Sequence, residues 1–235
     1  LARIASAVTV WAQPALIPLL SSMPGLGELL PLHDGTPEVV YDVDVEVMEL
    51  AHVFRVTPET LPATVPYLHP PRPSRSAVAR DAAAGLAVGV VWRAGDWDAR
   101  RSLPPALLRP LAAIPGVTLH LLQRGPALAE APPDLGPRSG SDDIVEAACL
   151  MASLDMILTV DSMPAHLAGA LGLPVWTLLP AEADWRWMEE RTDSPWYPTM
   201  RLFRQERPGD WPGVIEHVGT ALRAMAAASR AGGQG

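Results

Sequence analysis

The segment Met156–Leu179, MILTVDSMPAHLAGALGLPVWTLL, constrains the fold more than any other part of this chain. It contains two apolar runs, MILTV and VWTLL, each too uniformly apolar for a strand with one wet face. Such runs belong to strands buried on both faces, and those are characteristic of parallel sheets. Parallel neighbours cannot be joined by a tight turn; they need a crossover of a dozen or so residues, usually a helix. The intervening residues supply one. Pro164 is tolerated in a first helical turn because that N–H has no helical partner. Ala165, Ala168, Gly169 and Ala170 make a slim helix that can lie close to a sheet, and Gly172-Leu173-Pro174 ends it. The segment is a strand–helix–strand unit.

The same rhythm extends on both sides. Strands are expected at 87–93 (AVGVVWR), 117–124 (VTLHLLQR), 156–161, 174–180 and 201–205 (RLFRQ). Helices are expected at 102–114, 142–154, 164–172 and 211–229. Nearer the N-terminus, AVTVWAQ (7–13), GELLPL (27–32) and VVYDVDVEVM (39–48) read as strands, the last from its alternation of apolar and acidic residues. PALIPLLSSM (14–23) reads as a short helix. LARIASA at the start has the look of a helix end, and RAGGQG at the finish that of a frayed tail. A Pro-rich stretch, Glu59 to Ser76, breaks all periodicity and reads as a linker. The expected fold class is therefore α/β, a parallel sheet covered on both faces, with residues 1–76 as a first unit plus linker and 77–235 as a second.

Composition narrows the partners. The net charge of −8 speaks against a nucleic-acid surface. All 18 basic residues are Arg, so a single Arg carries little weight. A lone Cys149 allows no intramolecular disulfide and suits a reducing compartment. No apolar stretch reaches the roughly 20 residues that span a bilayer, and no leader pattern opens the chain. A cytoplasmic location is the expectation. His33, His52, His69, His120 and His217 are scattered without metal-ligand spacing and read as structural or surface residues, so no metal is expected.

In open α/β sheets ligands bind beyond the carboxyl ends of the strands. A helix start there offers free N–H groups and a partial positive charge, which together make an anion site. Asp161-Ser162 stands at such a junction. Two readings stay open on spacing alone: a helix cap with a strand-end turn residue, or a phosphate-binding turn. An esterase nucleophile at Ser162 lacks the required Gly-x-Ser-x-Gly elbow. The stretch DWRWMEERTDSPWYP (184–198) interleaves Trp185, Trp187, Trp196 and Tyr197 with charges. Trp187, Trp196 and Tyr197 read best as a packed aromatic plug.

Five motifs, VGVVWRAG, LHLLQRGP, LDMILTVDSMPAHLAGALGLPVWTLLP, DWRWMEERTDSPWYPTMRLFRQ and GDW, lie collinear between Val88 and about Met225. Over that span the chain resembles the C-terminal half of bacterial heptosyltransferase-like (GT-B, family 9-type) glycosyltransferases, nearest the subset usually fused to tetratricopeptide repeats. The resemblance implies two Rossmann-like domains with a nucleotide sugar between them, the C-terminal one holding most of the donor, with phosphates neutralised without a metal. It implies a donor and phosphate-binding set of Arg93, Arg101, Gln123, Arg124, Asp161, Ser162, Met163, His166, Asp184, Trp185 and Arg186. The acceptor would be a protein or a small molecule.

Two departures from the family pattern matter. The family's opening strand and glycine-rich loop, which commonly supply the catalytic base, have no counterpart here, and 93–102 looks shorter than the family's loop. The catalytic residue is therefore not assigned, and no tetratricopeptide repeats are present, so a repeat-containing partner would have to be separate. The alternative function is a degenerate module that binds a nucleotide sugar or a partner protein without turnover. A sugar-nucleotide epimerase is a weaker third.

Overall fold

The structure, a computed structural model, describes residues 4–32, 39–62, 64–70 and 85–232. His33, the first three residues, the linker beyond Pro70 and the last three residues of the tail lie outside them.

The N-terminal unit contains β1 (Thr9–Ala12), a 3-10 turn (Pro14–Leu16) that runs into α1 (Ile17–Leu20), and β2 (Glu28–Pro31). The two strands pair in parallel with Thr9 opposite Glu28, and α1 is their crossover. A second short helix, α2 (Leu50–Val53), follows.

The strand expected at 39–48 does not form. This stretch is extended chain that ends in a 3-10 turn at Val47–Glu49, with Val40, Val43 and Val47 exposed. Tyr41 meets Trp11 edge-to-face, ring centroids 6.3 Å apart. Alternation gives a segment two distinct faces, but a strand also needs a ladder beside it, and among the described residues none is paired with this one.

The second unit is a five-stranded, wholly parallel sheet. Its strands are β3 (Leu86–Val91), β4 (Val117–Leu121), β5 (Met156–Val160), β6 (Val175–Leu179) and β7 (Met200–Arg204), in the order β4-β3-β5-β6-β7. Every residue of β5, the central strand, is buried, as its uniform apolarity requires. On one face α3 (Arg109–Ala112) and the long α6 (Trp211–Gly232) cover Val88, Val90, Leu119, Leu121, Met156 and Leu158. Val214, Val218 and Leu222 of α6 recur at helical spacing and are buried. On the other face α4 (Ile144–Ala152) and α5 (Met163–Ala170) cover Leu122, Ile157, Val175 and Leu202.

The helix expected at 102–114 is shorter and split into a 3-10 turn, Pro105–Leu108, and the single turn of α3. Pro104, Pro105 and Pro110 explain this: a proline has no N–H to donate and clashes with the preceding turn, so only the tighter pieces survive. The expectation that small residues let α5 lie close holds. Ala165 and Ala168 are fully buried, and a Cβ on Gly169 would stand 2.4 Å from the Tyr197 ring.

The described part of the Pro-rich stretch is docked. The N–H groups of Tyr67 and Leu68 donate to the Ala170 carbonyl (3.0 and 3.3 Å), and the His69 N–H donates to Ser22 Oγ (3.2 Å). Leu19 and Leu68 are buried in the same core as α4 and α5. Among the described residues, no helix is long and apolar enough to cross a membrane.

Candidate functional site

The order β4-β3-β5-β6-β7 places the topological switch at β3. The chain leaves β3 for β4 on one side and returns to build β5, β6 and β7 on the other. Connections that leave in opposite directions open a crevice at the carboxyl ends, here between the loop after β3 and the turn after β5.

Arg101 spans that crevice. Its side chain, in a 3-10 turn Ala99–Arg101, is nine-tenths buried and donates from Nη1 to the Asp161 carbonyl at 2.9 Å. The Asp161 carboxylate, also buried, lies 3.8 Å from the same nitrogen. Trp97 lies over the Arg101 guanidinium with its ring centroid 3.9 Å away. Asp98 starts the 3-10 turn by accepting from the Arg100 N–H (3.0 Å), and Arg100 reaches across to Glu182 after β6 (2.9 Å). The loop after β3 is thus tied to the ends of both β5 and β6.

Ser162 occupies the N-cap position of α5 in extended backbone, but its hydroxyl does not cap the helix. It donates back to the Val160 carbonyl at 3.1 Å. Pro164 has no N–H, and the Ala165 N–H donates to the Ser162 carbonyl (2.9 Å). The donors that this turn can offer a ligand are therefore the N–H groups of Ser162 and Met163. Met163 is partly exposed beside them.

Gln123 has a different role from the rest of the predicted set. Its Oε1 accepts from the Trp92 and Arg93 N–H groups (3.1 and 2.9 Å), so it joins the ends of β4 and β3 and orients Arg93. Gln205 does the same for β6 and β7, accepting from Ala181 and Gly209 (3.3 and 3.0 Å). Most arginines at this edge have acidic partners, Arg204 excepted, which donates to the Trp187 and Met188 carbonyls. Arg93 pairs with Glu130 (2.6 Å) and Asp96, Arg124 with Asp142 (3.6 Å), and Arg186 with Asp184 (3.1 Å). Asp96 and Asp142 are almost fully exposed. Such surface pairs contribute only about 0–1 kcal/mol, so a diphosphate can displace them. The Asp161 contact to Arg101 is buried and is not displaceable in that way.

His166, one turn into α5, faces inward. Its ring stacks on Trp187 (centroids 5.3 Å apart), and Nδ1 is 3.1 Å from the Tyr197 hydroxyl. Burial raises the Tyr197 pKa well above the ordinary phenol value, with Tyr67 adding to the shift. The hydroxyl therefore stays protonated and links α5 to the docked N-terminal stretch. Trp187 is fully buried, and Trp196 donates from Nε1 to the Arg186 carbonyl (2.9 Å), so the aromatic plug forms as expected. Trp185 caps it, largely exposed, with its ring edge-to-face on Trp196 (centroids 6.1 Å apart) and Arg186 5.6 Å from it.

Burial lowers the His166 pKa below the usual imidazole value; nearby Arg186 adds to this, and Asp161 and Asp184 oppose it. The unfolded chain thus takes up this proton first as pH falls below about 6.5. The stability from a neutral His166 is fully present above that pH and is lost as pH falls toward the lower folded value. Thermal unfolding followed from about pH 7.5 to about pH 5 should therefore lose stability more steeply in the wild type than in His166→Gln. Equal slopes would remove His166 from the acid response.

The topology gathers the predicted residues at one sheet edge, with two exceptions: Gln123 is spent on backbone N–H groups and His166 is turned into the plug. Two contributors were not singled out from sequence: Trp97 and Glu182. Only Trp97 carried a signal, as a large aromatic in a short polar loop between a strand and a proline-rich turn. Among the described residues, no group of three or more His, Cys, Asp or Glu side chains is arranged to hold a metal ion.

No protein-family model matches the chain. It is 33% identical over 157 residues to Protein FlbA of Caulobacter vibrioides, a match that covers 61% of this chain and 26% of that protein. The chain thus spans about a quarter of the length of this curated relative. Among solved structures, it superposes on E. coli ADP-heptose LPS heptosyltransferase II with a TM-score of 0.57 and 14% identity, over 97% of this chain and 92% of that one. A glycosyl transferase family 9 protein from Veillonella parvula gives 0.46 and 13%, over 95% and 68%. The fold is heptosyltransferase-like, of the GT-B kind.

Proposed function

We propose that this chain binds a nucleotide-diphosphate sugar in the crevice between the loop after β3 and the start of α5, as the donor-side part of a glycosyltransferase. The observation that carries the reading is the helix start at the switch point, held in place by a nine-tenths buried arginine. The Ser162 and Met163 N–H groups would receive the diphosphate. Arg93 and Arg124 would exchange their exposed carboxylate partners for phosphate oxygens. Charge grows on the leaving diphosphate as the glycosidic bond breaks, so fixed dipoles and guanidinium groups favour the transition state over the ground state. No metal is needed in this scheme. The structural neighbour that superposes over most of its length carries the name ADP-heptose LPS heptosyltransferase II, which names a nucleotide-diphosphate sugar. The acceptor is a protein or a small molecule, and a protein acceptor is presented by the rest of a longer polypeptide or by a repeat-containing partner.

A second reading is a binding module without turnover. It is favoured by the pairing of the edge carboxylates with arginines and by the inward turn of His166, which leave no evident base among the described residues.

Thermal unfolding with ADP, GDP, UDP, CMP and dTDP and their sugar conjugates tests donor binding. A ligand at about 100 times its Kd should add about 2.7 kcal/mol, a shift of about 5–10 °C at this size. Ser162→Asp should abolish that shift and leave the unliganded protein folded, because Asp is a favoured N-cap and its carboxylate would stand where the phosphate binds. No shift with any nucleotide, or the same shift in Ser162→Asp, would overturn the assignment. Release of free nucleoside diphosphate on addition of acceptor would separate the transferase from the binding module.

A further inference from the structure

Within residues 85–232, the large apolar side chains that remain exposed are Trp97, Met163 and Trp185, and all three stand at the carboxyl edge of the sheet. Isolated exposed apolar residues need no explanation. These three, however, are joined by the bracing around Arg101. Trp97 lies on the Arg101 guanidinium, Arg101 holds the carbonyl two residues before Met163, and Arg100 holds Glu182, three residues before Trp185.

Trp97 is the most exposed of the three, at 76%. Its loop is nevertheless fixed at both ends. The Ala94 N–H donates to Ser102 Oγ (3.1 Å), and the Leu103 N–H donates to the Trp92 carbonyl (3.0 Å). One ring face lies against the buried Arg101 guanidinium, so the indole cannot fold down onto the sheet, and the ring is otherwise largely exposed. This is an aromatic plane oriented in advance of any ligand.

We propose that Trp97 is the stacking platform for the transferred sugar ring. The inference rests on the donor reading above and goes further in naming the group that the indole meets. A nucleobase is separated from the diphosphate by the whole ribose, whereas the donor sugar is bonded directly to the distal phosphate. A ring that stacks beside the α5 start, one arginine away from the phosphate turn, is therefore the sugar. The C–H-rich face of a pyranose fits a flat indole, and the guanidinium behind it keeps the ring upright.

Calorimetric titration tests this with four pairs: ADP and ADP-glucose, GDP and GDP-mannose, UDP and UDP-N-acetylglucosamine, and dTDP and dTDP-glucose. For the pair that binds, Trp97→Ala should weaken the nucleotide sugar about tenfold and change the nucleoside diphosphate by less than about twofold. Trp97→Phe should restore most of the loss. The Trp97 indole N–H resonance, assigned by its absence in Trp97→Phe, should shift with the nucleotide sugar and stay in place with the diphosphate. Because the side chain is exposed and Arg101 keeps its bond to Asp161, the alanine variant is expected to fold. An unchanged nucleotide-sugar affinity in Trp97→Ala overturns the proposal. Equal weakening of both ligands overturns it in favour of base stacking, while leaving the donor reading intact. Failure of the wild type to bind any of the eight overturns both.

Discussion

Replacing Trp187 by alanine is expected to cost about 3–5 kcal/mol, the range for removing a fully buried large aromatic. At about 2–4 °C per kcal/mol for a domain of this size, Tm should fall by about 10 °C. The Trp187 ring is fully buried and supports the imidazole of His166, which in turn contacts Tyr197. Its removal would empty the space between α5 and the loop 184–197. Trp187→Phe supplies the control. The Trp187 Nε1–H is buried without a partner, so phenylalanine discards an unpaired donor and loses only part of the volume. A cost below about 1.5 kcal/mol is expected for it. Denaturant unfolding with matched m-values decides the matter; a Trp187→Ala cost under about 1 kcal/mol would mean that the plug does not hold α5.

Arg101→Ala is expected to cost about 3 kcal/mol, because it leaves the buried Asp161 carboxylate without its neighbouring cation and the Asp161 carbonyl without the Nη1 donor. The same substitution frees the loop that carries Trp97, so ligand affinity and stability should fall together. Arg101→Lys should recover only part of the loss, since an ammonium keeps the charge but not the flat surface under the indole. Adding Asp161→Asn to Arg101→Ala removes the uncompensated charge and should return about 1 kcal/mol or more as a coupling energy. A coupling energy near zero in that double-mutant cycle would show that the two side chains act independently, and the 2.9 Å bond to the carbonyl would then be the whole link.

The long-range electrostatics of this edge could not have been read along the chain, although Asp96, Asp98 and Asp184 pair with arginines two or three residues away. Arg93, Arg101 and Arg100 find their partners 37, 60 and 82 residues away, at Glu130, Asp161 and Glu182. In sequence they are three arginines in a polar loop. In the fold each is neutralised, and burial separates them: Arg101 is fixed, while Arg93 retains enough exposure to exchange a carboxylate for a phosphate. His166 shows the same limit. Its place in the first turn of α5 was legible, but which way the ring turns depends on Trp187 and Tyr197, which come 21 and 31 residues later.

What the sequence determined by itself was the parallel sheet of the second unit. Uniform apolarity fixed β5 as a strand buried on both faces, the interval to β6 required a helical crossover, and small residues set how closely α5 approaches. Those are local consequences of burial and chain geometry, written in consecutive residues. The tertiary structure decided the rest. Whether 39–48 is a strand depends on a neighbouring ladder that no local pattern encodes. Whether Ser162 caps α5 depends on the competing Val160 carbonyl. Which arginine holds the site together depends on which one the β3–β5 switch brings against Asp161. Pairing, competition between hydrogen bonds and burial of charge are set by distances through space, and only the folded chain fixes those.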